Sequence, residues 1–363
     1  LTITKPDGTE LTTLDGLTYK TVTDGKGTTI KGFDITTKDG LITIAENKKI
    51  TTTSTIEEQW NVVVTLVNYN VNQIDNLGKE FNSKLIITQD EPNFSYHEIC
   101  DSSILACHVA KLYAGTQGKN NVYYHDGTLE NGIDDNSYRY AGASDSVNNY
   151  ICLGSDTTTC PDANLFRIIG VFGEQVKVIR AKSVGNLNWN TSDSSNWSSS
   201  SLNTYLNGTY LTSLGTLADK IATTTWKVGG GSNIYLNGVP KTAYQYEVGS
   251  NASSSTIESK IGLMYVSEYG FAADQSAWTT RLGSSYSSSS SDWLYLSSNE
   301  WTISRDTSTS GSVFYKNGSS ISVTEAYNGN ASARYAVRPT FSLLSSVTYA
   351  SGSGTSSDPI RIN

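Results

Sequence analysis

Long apolar runs, clusters of basic residues, methionine and histidine are scarce or missing in this sequence. The longest apolar runs, such as residues 62–67, are as long as a strand and far shorter than the roughly 20 residues of a membrane helix. Lysine and arginine total 26 against 34 acidic residues, which gives a net charge of −8. This balance argues against nucleic acid or an anionic membrane as the main partner.

Tyrosine and small polar residues, by contrast, are abundant. Tyrosine occurs 22 times, and threonine, serine, asparagine and glycine occupy most polar positions. β-Branched and aromatic residues fit pleated strands, whereas glycine, asparagine and serine favour turns. The composition therefore predicts a secreted, β-rich, acidic surface protein. The aromatic residues expected at its surface, because they lie among serine, asparagine and glycine, are Trp197, Tyr286, Tyr315 and Tyr327.

The four cysteines, Cys100, Cys107, Cys152 and Cys160, predict a disulfide framework, because their number is even and the composition is that of a secreted chain. Four cysteines allow three pairings, and the sequence does not select one. The simplest choice is two local loops, Cys100–Cys107 and Cys152–Cys160. Glycine, threonine and proline residues around the second loop are typical of a tight turn, so this pair is favoured.

The first pair imposes a condition on the local structure. Seven residues along a continuous helix separate two Cα atoms by about 10 Å, which is too far for a disulfide. Cys100 and Cys107 therefore pair only if a helix begins after Cys100, capped by the aspartate or the serine that follows it. The alternative is a zinc site, since His97 and His108 flank the pair.

Residues 1–91 differ from the rest of the chain in having many threonines, no arginine and no cysteine. Short runs of strand-forming residues alternate there with Asp-Gly turn signals at intervals of about 8–15 residues. This pattern predicts an immunoglobulin-like β-sandwich over residues 1–91, followed by a second domain over residues 92–363. The predicted strands of the sandwich are residues 1–4, 17–22, 28–33, 41–44, 60–67 and 84–88.

Local patterns also predict the elements of the second domain. Apolar residues at helical spacing indicate helices, and alternating runs indicate strands. Turn residues mark a hairpin at Gly173, a type I′ hairpin at Asn317-Gly318, and an edge or bulge at Pro339 in the last strand. The predicted helices are residues 101–113 and 202–214, and the predicted strands are residues 165–172, 174–180, 261–266, 312–316, 321–324 and 337–343.

Several strings in the second domain carry a family resemblance. They are Tyr123–Asp126, Asn136–Tyr140, Leu165–Gly170, Lys220–Gly229, Ile261–Ser267, Glu300–Arg305, Val337–Pro339 and Ser356–Arg361. With these strings, the region from about residue 100 to the end resembles a widespread, pilin-like family of surface proteins from Gram-positive anaerobes, many of them gut-dwelling.

A more distant likeness concerns the fold. A Phe-Arg-Ile-Ile-Gly hairpin, a Trp-Thr-x-Ser-Arg segment and a closing Val-Arg-Pro strand look like the C-type-lectin-like fold, which includes formylglycine-generating enzymes and retroelement variable proteins. This resemblance implies a ligand face of irregular loops before the last strand, here residues 305–334. The candidate ligand-binding residues are Arg305, Asp306, Tyr315, Tyr327, Asn328, Asn330 and Arg334.

No catalytic group stands out in the sequence. It contains no Gly-x-Ser-x-Gly elbow, and His125 is expected to be a loop histidine hydrogen-bonded to Asp126. Oxidised cysteines would lack the thiol chemistry that a formylglycine-generating enzyme needs. A glycosidase needs paired carboxylates in an aromatic cleft, but spacing selects no pair among the candidates. Those candidates are Glu268, Asp274, Glu300 and Asp306.

Oxygen-rich stretches raise the question of calcium, which takes six to eight oxygen ligands. The sequence contains no EF-hand, so solvated turn carboxylates are the favoured interpretation, and we predict no cofactor and no metal. The residues concerned are Asp126, Glu130, Asp134, Asp135 and Asn136 in one stretch, and Asp156 and Asp162 in another.

The sequence thus predicts a non-enzymatic adhesin on a bacterial cell surface. Its expected fold class is mainly β with minor α, an immunoglobulin-like β-sandwich followed by a C-type-lectin-like α+β domain. The expected partner is a protein or carbohydrate on a host or neighbouring cell, with no nucleic acid and no membrane segment. The alternative is a structural subunit of a surface filament or pilus, assembled through the sandwich or by strand donation from residues 1–4. A surface glycan hydrolase ranks third.

Overall fold

The computed structural model describes residues 1–14, 16–35, 42, 44, 60–67, 69, 95–327 and 334–363. The chain divides into two compact units, Leu1–Phe94 and Ser95–Asn363. Among the described residues strands outweigh helices and form several sheets, so the protein is mainly β, as the sequence predicted. None of the helices within these ranges is long and apolar enough to cross a membrane.

The described strands of the first unit are β1 (Thr2–Thr4), β2 (Thr18–Thr23), β3 (Thr29–Asp34) and β4 (Asn61–Val63). β2 and β3 form an antiparallel hairpin, and β1 pairs antiparallel with β4. The backbone N–H of Phe33 also donates to the carbonyl of Leu1 at 2.8 Å, so the first residues bond within their own unit. The strand predicted at 41–44 lies mostly, and the one at 84–88 wholly, outside the described residues, and the immunoglobulin-like sandwich stays a prediction.

The elements described in the second unit are short. Its strands are β5 (Val122–Tyr124), β6 (Tyr138–Tyr140), β7 (Tyr150–Cys152), β8 (Leu165–Phe172), β9 (Gln175–Arg180), β10 (Asn186–Leu187), β11 (Thr224–Lys227), β12 (Thr256–Ser259), β13 (Ile261–Gly262), β14 (Glu300–Arg305), β15 (Ser312–Asn317), β16 (Ser320–Glu325), β17 (Tyr335–Ala336), β18 (Thr340–Ser342), β19 (Tyr349–Ser351) and β20 (Arg361–Ile362). Its helices are α1 (Tyr96–Ile99), α2 (Leu105–Lys111), α3 (Ser201–Tyr205), α4 (Leu211–Ser213), α5 (Asn233–Leu236), α6 (Pro240–Glu247) and α7 (Val266–Ala272).

Two sheets hold most of the strands described in this unit. One has the order β13-β18-β9-β8-β6-β5, with β7 also pairing with β8, and the other has the order β10-β17-β14-β15-β16. Neighbouring strands are antiparallel except β14 and β17, which pair in parallel between Glu300 and Ala336. β8 and β9 are buried along nearly their whole length, which explains why their apolar runs were legible in the sequence. β11–β12 and β19–β20 form separate two-stranded ribbons.

Both predicted hairpins exist, but the second turns one residue later than predicted. Gly173, with φ +60°, connects β8 to β9. In the other hairpin Asn317 pairs with Ser320, so the turn residues are Gly318 and Ser319. Only Gly318 of these two has a positive φ, +53°. The predicted type I′ turn is therefore wrong, because that type requires positive φ at both central residues.

The helix predicted over residues 101–113 is shorter than expected and follows a break at Cys100. α1 ends before this cysteine, and a turn from Asp101 to Ile104 separates it from α2. The residue that caps α2 is Ile104, and the predicted aspartate or serine cap is wrong. The Asp101 carboxylate instead accepts hydrogen bonds from the backbone and hydroxyl of Ser103, at 2.9 and 2.6 Å, inside the turn.

This break allows the first of the two local disulfides to form. The Cα atoms of Cys100 and Cys107 are 5.6 Å apart, and those of Cys152 and Cys160 are 5.8 Å apart. Both bonds are present, and the described residues contain no free cysteine. The zinc alternative is therefore wrong, because all four thiols are already oxidised.

Three other predicted elements change in detail. The helix at 202–214 is α3 and α4 joined through a π-helical turn at Leu206–Tyr210. Of the strand predicted at 261–266, only Ile261–Gly262 (β13) forms. The chain then enters α7, and the Glu268 carboxylate accepts from the backbone N–H of Tyr265 at the start of that helix. Pro339 lies in the irregular segment before β18. β18 is internal to its sheet, so of the predicted edge or bulge the edge position is wrong. β19 and β20 follow it in the chain.

Aromatic residues fill the core more completely than the sequence suggested. Trp197 and Tyr286, which we expected at the surface, are only 1% and 4% exposed. Trp197 packs edge-on against Trp189, with ring centroids 5.4 Å apart. Serine-rich neighbours therefore do not mark a ring as exposed, because a short loop can carry a single aromatic side chain into the core.

Candidate functional site

Two open clefts stand out in the described part of the second unit. The larger, about 600 Å³, lies between the Cys152–Cys160 loop and the C-terminal strands, and no aromatic ring lines it. Its arginine, Arg361, already donates hydrogen bonds of 2.7–3.2 Å to carbonyl oxygens of that loop. The smaller cleft, about 460 Å³, combines tyrosine rings with an arginine whose Nε has no hydrogen-bond partner among the described residues. This smaller cleft is the candidate site. Its lining residues are Gly229, Gly230, Gly231, Ser232, Tyr235, Tyr246, Asn251, Ser253, Ser255, Arg305 and Thr307.

Three consecutive glycines form one wall of this smaller cleft. They follow β11 and run beside the end of β14, where the N–H of Gly231 donates to the carbonyl of Arg305 and the N–H of Thr307 donates back to Gly231, both at 3.1 Å. Gly230 has φ +64°, and a Cβ there would lie 2.1 Å from the Arg305 carbonyl oxygen. Only glycine allows the two backbone segments to approach so closely.

A pair of tyrosines forms the aromatic part of the cleft. Tyr235 lies on α5 and Tyr246 on α6, and their rings stack 3.9 Å apart with an angle of 13° between their planes. Tyr235 is 41% exposed, although it is held in a helix whose first turn is capped by the hydroxyl of Ser232. Partial desolvation and the neighbouring Tyr235 hydroxyl raise the pKa of Tyr246. The pair is thus an ordered aromatic surface that solvent reaches.

A buried carboxylate fixes the helix that carries Tyr246. The carboxylate of Glu247 accepts from the backbone N–H groups of Val266 and Ser267, at 2.9 and 2.8 Å, and from the hydroxyl of Ser304. These bonds tie the end of α6 to the start of α7 and to β14. Burial raises the pKa of Glu247, and the hydrogen bonds oppose this shift. Glu247 is therefore a positioning residue for the cleft.

Arg305, the last residue of β14, is the one charged residue among the described residues that line the cleft. Its Nε is buried, and no hydrogen-bond partner for it is present in the described part of the chain. On a chain of net charge −8, an arginine in this state favours an anionic or carboxylate-bearing ligand.

Small polar side chains also line the cleft, and Ser253 lies directly beside Gly229. Asn251, Ser253 and Ser255 come from the loop between α6 and β12. The hydroxyl of Ser253 accepts from the N–H of Ser255 and donates to its hydroxyl, both at 3.2 Å, and the N–H of Asn251 donates to the carbonyl of Gln245. The cleft therefore offers amide and hydroxyl groups held by a bonded loop.

The structure separates the residues that the sequence grouped as ligand-binding. Arg305 lines the cleft, whereas Asp306 does not and is buried, 1% exposed, with Oδ1 accepting from the N–H of Ser308 at 2.8 Å. Tyr315 packs instead against Trp301 and Tyr335, in an aromatic cluster on β14, β15 and β17.

The remaining predicted ligand residues lie elsewhere or are not described. Tyr327 is 38% exposed two residues after the end of β16, and Arg334 is exposed just before β17. Asn328 and Asn330 lie outside the described residues. Sequence reasoning missed the two cleft tyrosines and the glycine wall. The run Gly229-Gly-Gly231 was the one signal that a close backbone approach occurs there.

His125 is buried in the core and does not make the predicted contact with Asp126. The Asp126 carboxylate accepts from the backbone and hydroxyl of Thr128. The ring of His125 is 0% exposed and packs against Phe271 and Trp278, with centroids 5.0 and 5.2 Å away. Burial lowers the pKa of His125 well below its usual range.

The carboxylates considered for glycosidase chemistry form ion pairs or hydrogen bonds within the fold. Glu268 pairs with Lys177, and Glu300 pairs with Arg338. Asp274 accepts from the backbone and hydroxyl of a serine at the start of a short helical turn. None of the four candidates, Asp306 included, is among the lining residues of the two clefts described.

The stretches considered for calcium are likewise used in local contacts. Asp135 pairs with Arg139 at 2.7 Å and accepts from Ser137, and Asp162 pairs with Lys182. Across the part of the chain that the structure describes, no group of three or more histidine, cysteine, aspartate or glutamate residues could hold a metal ion.

Comparison with known proteins gives no further guide. No protein-family model, curated protein or solved structure matches this chain.

Proposed function

We propose that residues 95–363 form a cell-surface recognition domain that binds an acidic saccharide in the smaller cleft. One observation carries this proposal: the stacked Tyr235–Tyr246 pair shares the cleft with Arg305, the one charged residue of its described lining. Such rings provide rigid, amphipathic contact area, and an arginine binds a carboxylate through two parallel hydrogen bonds. The two disulfides are compatible with an extracellular location.

The polar wall of the cleft supports a saccharide as the ligand. Asn251, Ser253 and Ser255 offer donors and acceptors suited to a ligand rich in hydroxyl groups. In this proposal the domain acts as an adhesin, with a C-type-lectin-like fold as the sequence resemblance implies, and it catalyses no reaction.

The test is a binding titration with matched acidic and neutral saccharides. Calorimetry with oligosaccharides that contain a uronic or sialic acid should show binding. The neutral counterparts, in which the carboxyl group is reduced to an alcohol, should bind at least tenfold more weakly, which is a loss of about 1.4 kcal/mol in binding free energy. Arg305→Gln should weaken binding by a similar factor or more.

The matched control is Arg334→Gln, which removes an exposed arginine before the last strands. It should leave the affinity unchanged. If Arg334→Gln abolishes binding and Arg305→Gln does not, the site lies at the Arg334 end of the segment 305–334 that the resemblance implied, and not in the smaller cleft. If neither acidic nor neutral saccharides bind the purified chain, the proposed function is wrong.

A second candidate function, a filament subunit, rests on the first unit. Val62, Val63 and Leu66 are 43%, 44% and 83% exposed on and after β4, and exposed apolar side chains of this kind suit contact with another copy. The first residues already bond within their own unit, so strand donation would have to replace those bonds. Light scattering and negative-stain microscopy decide: ordered polymers support a filament, and a monodisperse monomer contradicts it.

A further inference from the structure

Two backbone N–H groups in the glycine wall of the smaller cleft take no part in the hydrogen bonding of the fold. They belong to Gly229 and Gly230 and have no partner among the described residues. The following N–H, that of Gly231, donates to the carbonyl of Arg305 at 3.1 Å. Gly229 and Gly230 line the cleft and are only partly buried, so a ligand can reach this stretch of backbone.

The guanidinium group of Arg305 is also left without a partner. Within the described part of the chain, this side chain donates no hydrogen bond and forms no ion pair. Its stem packs over the glycine wall, because a Cβ at Gly230 would lie 2.4 Å from Cγ of Arg305. The guanidinium group and the unpaired N–H groups therefore belong to the same part of the cleft.

Other arginines of the second unit show the ordinary arrangement. Arg361, in the larger cleft, donates three hydrogen bonds of 2.7–3.2 Å to carbonyl oxygens. The buried Arg167 and Arg338 likewise donate to several acceptors each. Arg305 differs from these three, because it lines a cleft with its hydrogen-bonding capacity intact.

The charge of the cleft limits which anion it suits. Arg305 is the one charged residue of the described lining, so the cleft offers a single positive charge. A phosphate monoester carries about 1.5 to 2 negative charges near neutral pH. It would bring uncompensated negative charge to a protein of net charge −8. A carboxylate and a sulfate ester each carry one negative charge and match the cleft better.

We infer, on the basis of the proposed function, that the acidic group of the saccharide is a sulfate ester held jointly by Arg305 and the N–H groups of Gly229 and Gly230. Two parallel hydrogen bonds from an arginine occupy both oxygen atoms of a carboxylate. A sulfate ester has three terminal oxygen atoms in a tetrahedral arrangement, so one remains for the glycines. Successive N–H groups around a left-handed residue form concave anion sites, and Gly230 has φ +64°.

The first test compares ligands that differ in one group. Calorimetry uses galactose- and glucose-based disaccharides whose sixth carbon carries a sulfate ester, a carboxylate, a phosphate ester or a hydroxyl group. The sulfate ester should bind at least about tenfold more tightly than the carboxylate, because the glycine hydrogen bonds add to those of the arginine. The phosphate ester should bind more weakly than the sulfate ester, and the hydroxyl form should bind most weakly.

The outcomes separate this inference from the proposed function. If the carboxylate or the phosphate ester binds as tightly as the sulfate ester, the inference is wrong and the proposed function stands. If none of the acidic disaccharides binds, the inference is wrong as well, and the titrations with uronic and sialic acids decide the proposed function independently.

The second test observes the glycine wall directly. Gly-Gly occurs in the sequence only at residues 229–230 and 230–231. In a chain whose glycines alone carry carbon-13 and nitrogen-15, an NMR experiment that relates each N–H to the preceding carbonyl therefore gives two signals, from Gly230 and Gly231. Slow hydrogen exchange identifies Gly231, which is buried and bonded to Arg305.

The sulfated disaccharide should shift the N–H proton of Gly230 downfield, and by more than that of Gly231. An unchanged Gly230 signal in the saturated complex overturns the inference.

Two variants with unchanged circular dichroism separate the two clefts. Arg305→Gln should abolish the preference for the sulfate ester over the hydroxyl form, because it removes the positive charge of the smaller cleft. The matched control Arg361→Gln removes the arginine of the larger cleft and should keep the full preference. If Arg361→Gln abolishes the preference and Arg305→Gln keeps it, the sulfate ester binds in the larger cleft and the inference is wrong.

Discussion

The guanidinium group of Arg338 donates to both carboxylate oxygens of Glu300, Nε to Oε1 and Nη2 to Oε2, at 2.7 Å each. Both side chains are almost completely buried, and Arg338 also donates to the carbonyl of Leu294. The pair connects the start of β14 to the segment that enters β18, so it joins the two main sheets of the second unit.

Breaking this pair should cost much of the stability of the second unit. Arg338→Met leaves the Glu300 carboxylate buried without its partner, so we expect a loss of about 3–5 kcal/mol in the free energy of unfolding. Urea denaturation followed by tryptophan fluorescence measures it. The control is Lys182→Met, which removes an exposed ion pair with Asp162 and should cost about 1 kcal/mol or less. Similar losses in both variants would show that Glu300 and Arg338 are not coupled as described.

His125 should make stability depend on pH. Burial lowers the pKa of His125 well below its usual value of 6.5, so the folded chain does not take up the proton that the unfolded chain binds. The free energy of unfolding is therefore not reduced by His125 above pH 6.5. Below that pH it falls, by up to about 1.4 kcal/mol per pH unit, because the unfolded chain binds a proton that the folded chain does not.

The measurement is the free energy of unfolding at several pH values between 5 and 8, for the parent and for His125→Phe. The difference between the two should change with pH below 6.5 and stay constant above it. This difference removes the contributions of His97 and His108, whose pKa values burial also lowers. A difference that is constant down to pH 5 would contradict the burial of an uncharged His125.

Gly230 should be required for the shape of the cleft. In Gly230→Ala the new Cβ would lie 2.1 Å from the carbonyl oxygen of Arg305, at a φ of +64° that alanine disfavours. The two backbone segments must separate, so saccharide binding should be lost together with at least about 2 kcal/mol of stability. Gly173→Ala is the control, because its φ is +60° and nothing lies within 4 Å of the added Cβ. It should cost only about 1–2 kcal/mol and leave binding unchanged.

The two disulfides should contribute unequally to stability, although their loops are almost equally long. The loop-closure relation gives each about 2–3 kcal/mol for separations of seven and eight residues. Arg361 also holds the carbonyl groups of the second loop, so replacing Cys152 and Cys160 by alanine should cost less than replacing Cys100 and Cys107. Thermal unfolding of the two double variants measures both losses. An Arg361→Gln background should make the losses equal, and unequal losses that persist there would contradict the explanation.

The sequence by itself determined the elements whose signal is local. The apolar runs of β8 and β9 and the glycine that turns between them follow from neighbouring residues, because strand burial acts over a few positions. The two short cysteine loops were only the simplest of three pairings, and the structure selected them. It also determined that the protein is mainly β, since β-branched and aromatic residues dominate the apolar positions.

The tertiary structure alone decided the candidate site. Tyr235, Tyr246 and Arg305 come from α5, α6 and β14, and no local pattern relates residues that lie so far apart in the chain. The same holds for the buried ion pair between Asp292 and Lys316, whose charged groups lie 3.6 Å apart because β15 packs against a serine-rich loop. Secondary-structure propensity depends on residues that are neighbours in the sequence, whereas a binding site depends on residues that are neighbours in space. The residues that meet in this cleft come from separate elements of the chain, so propensity could not reveal them.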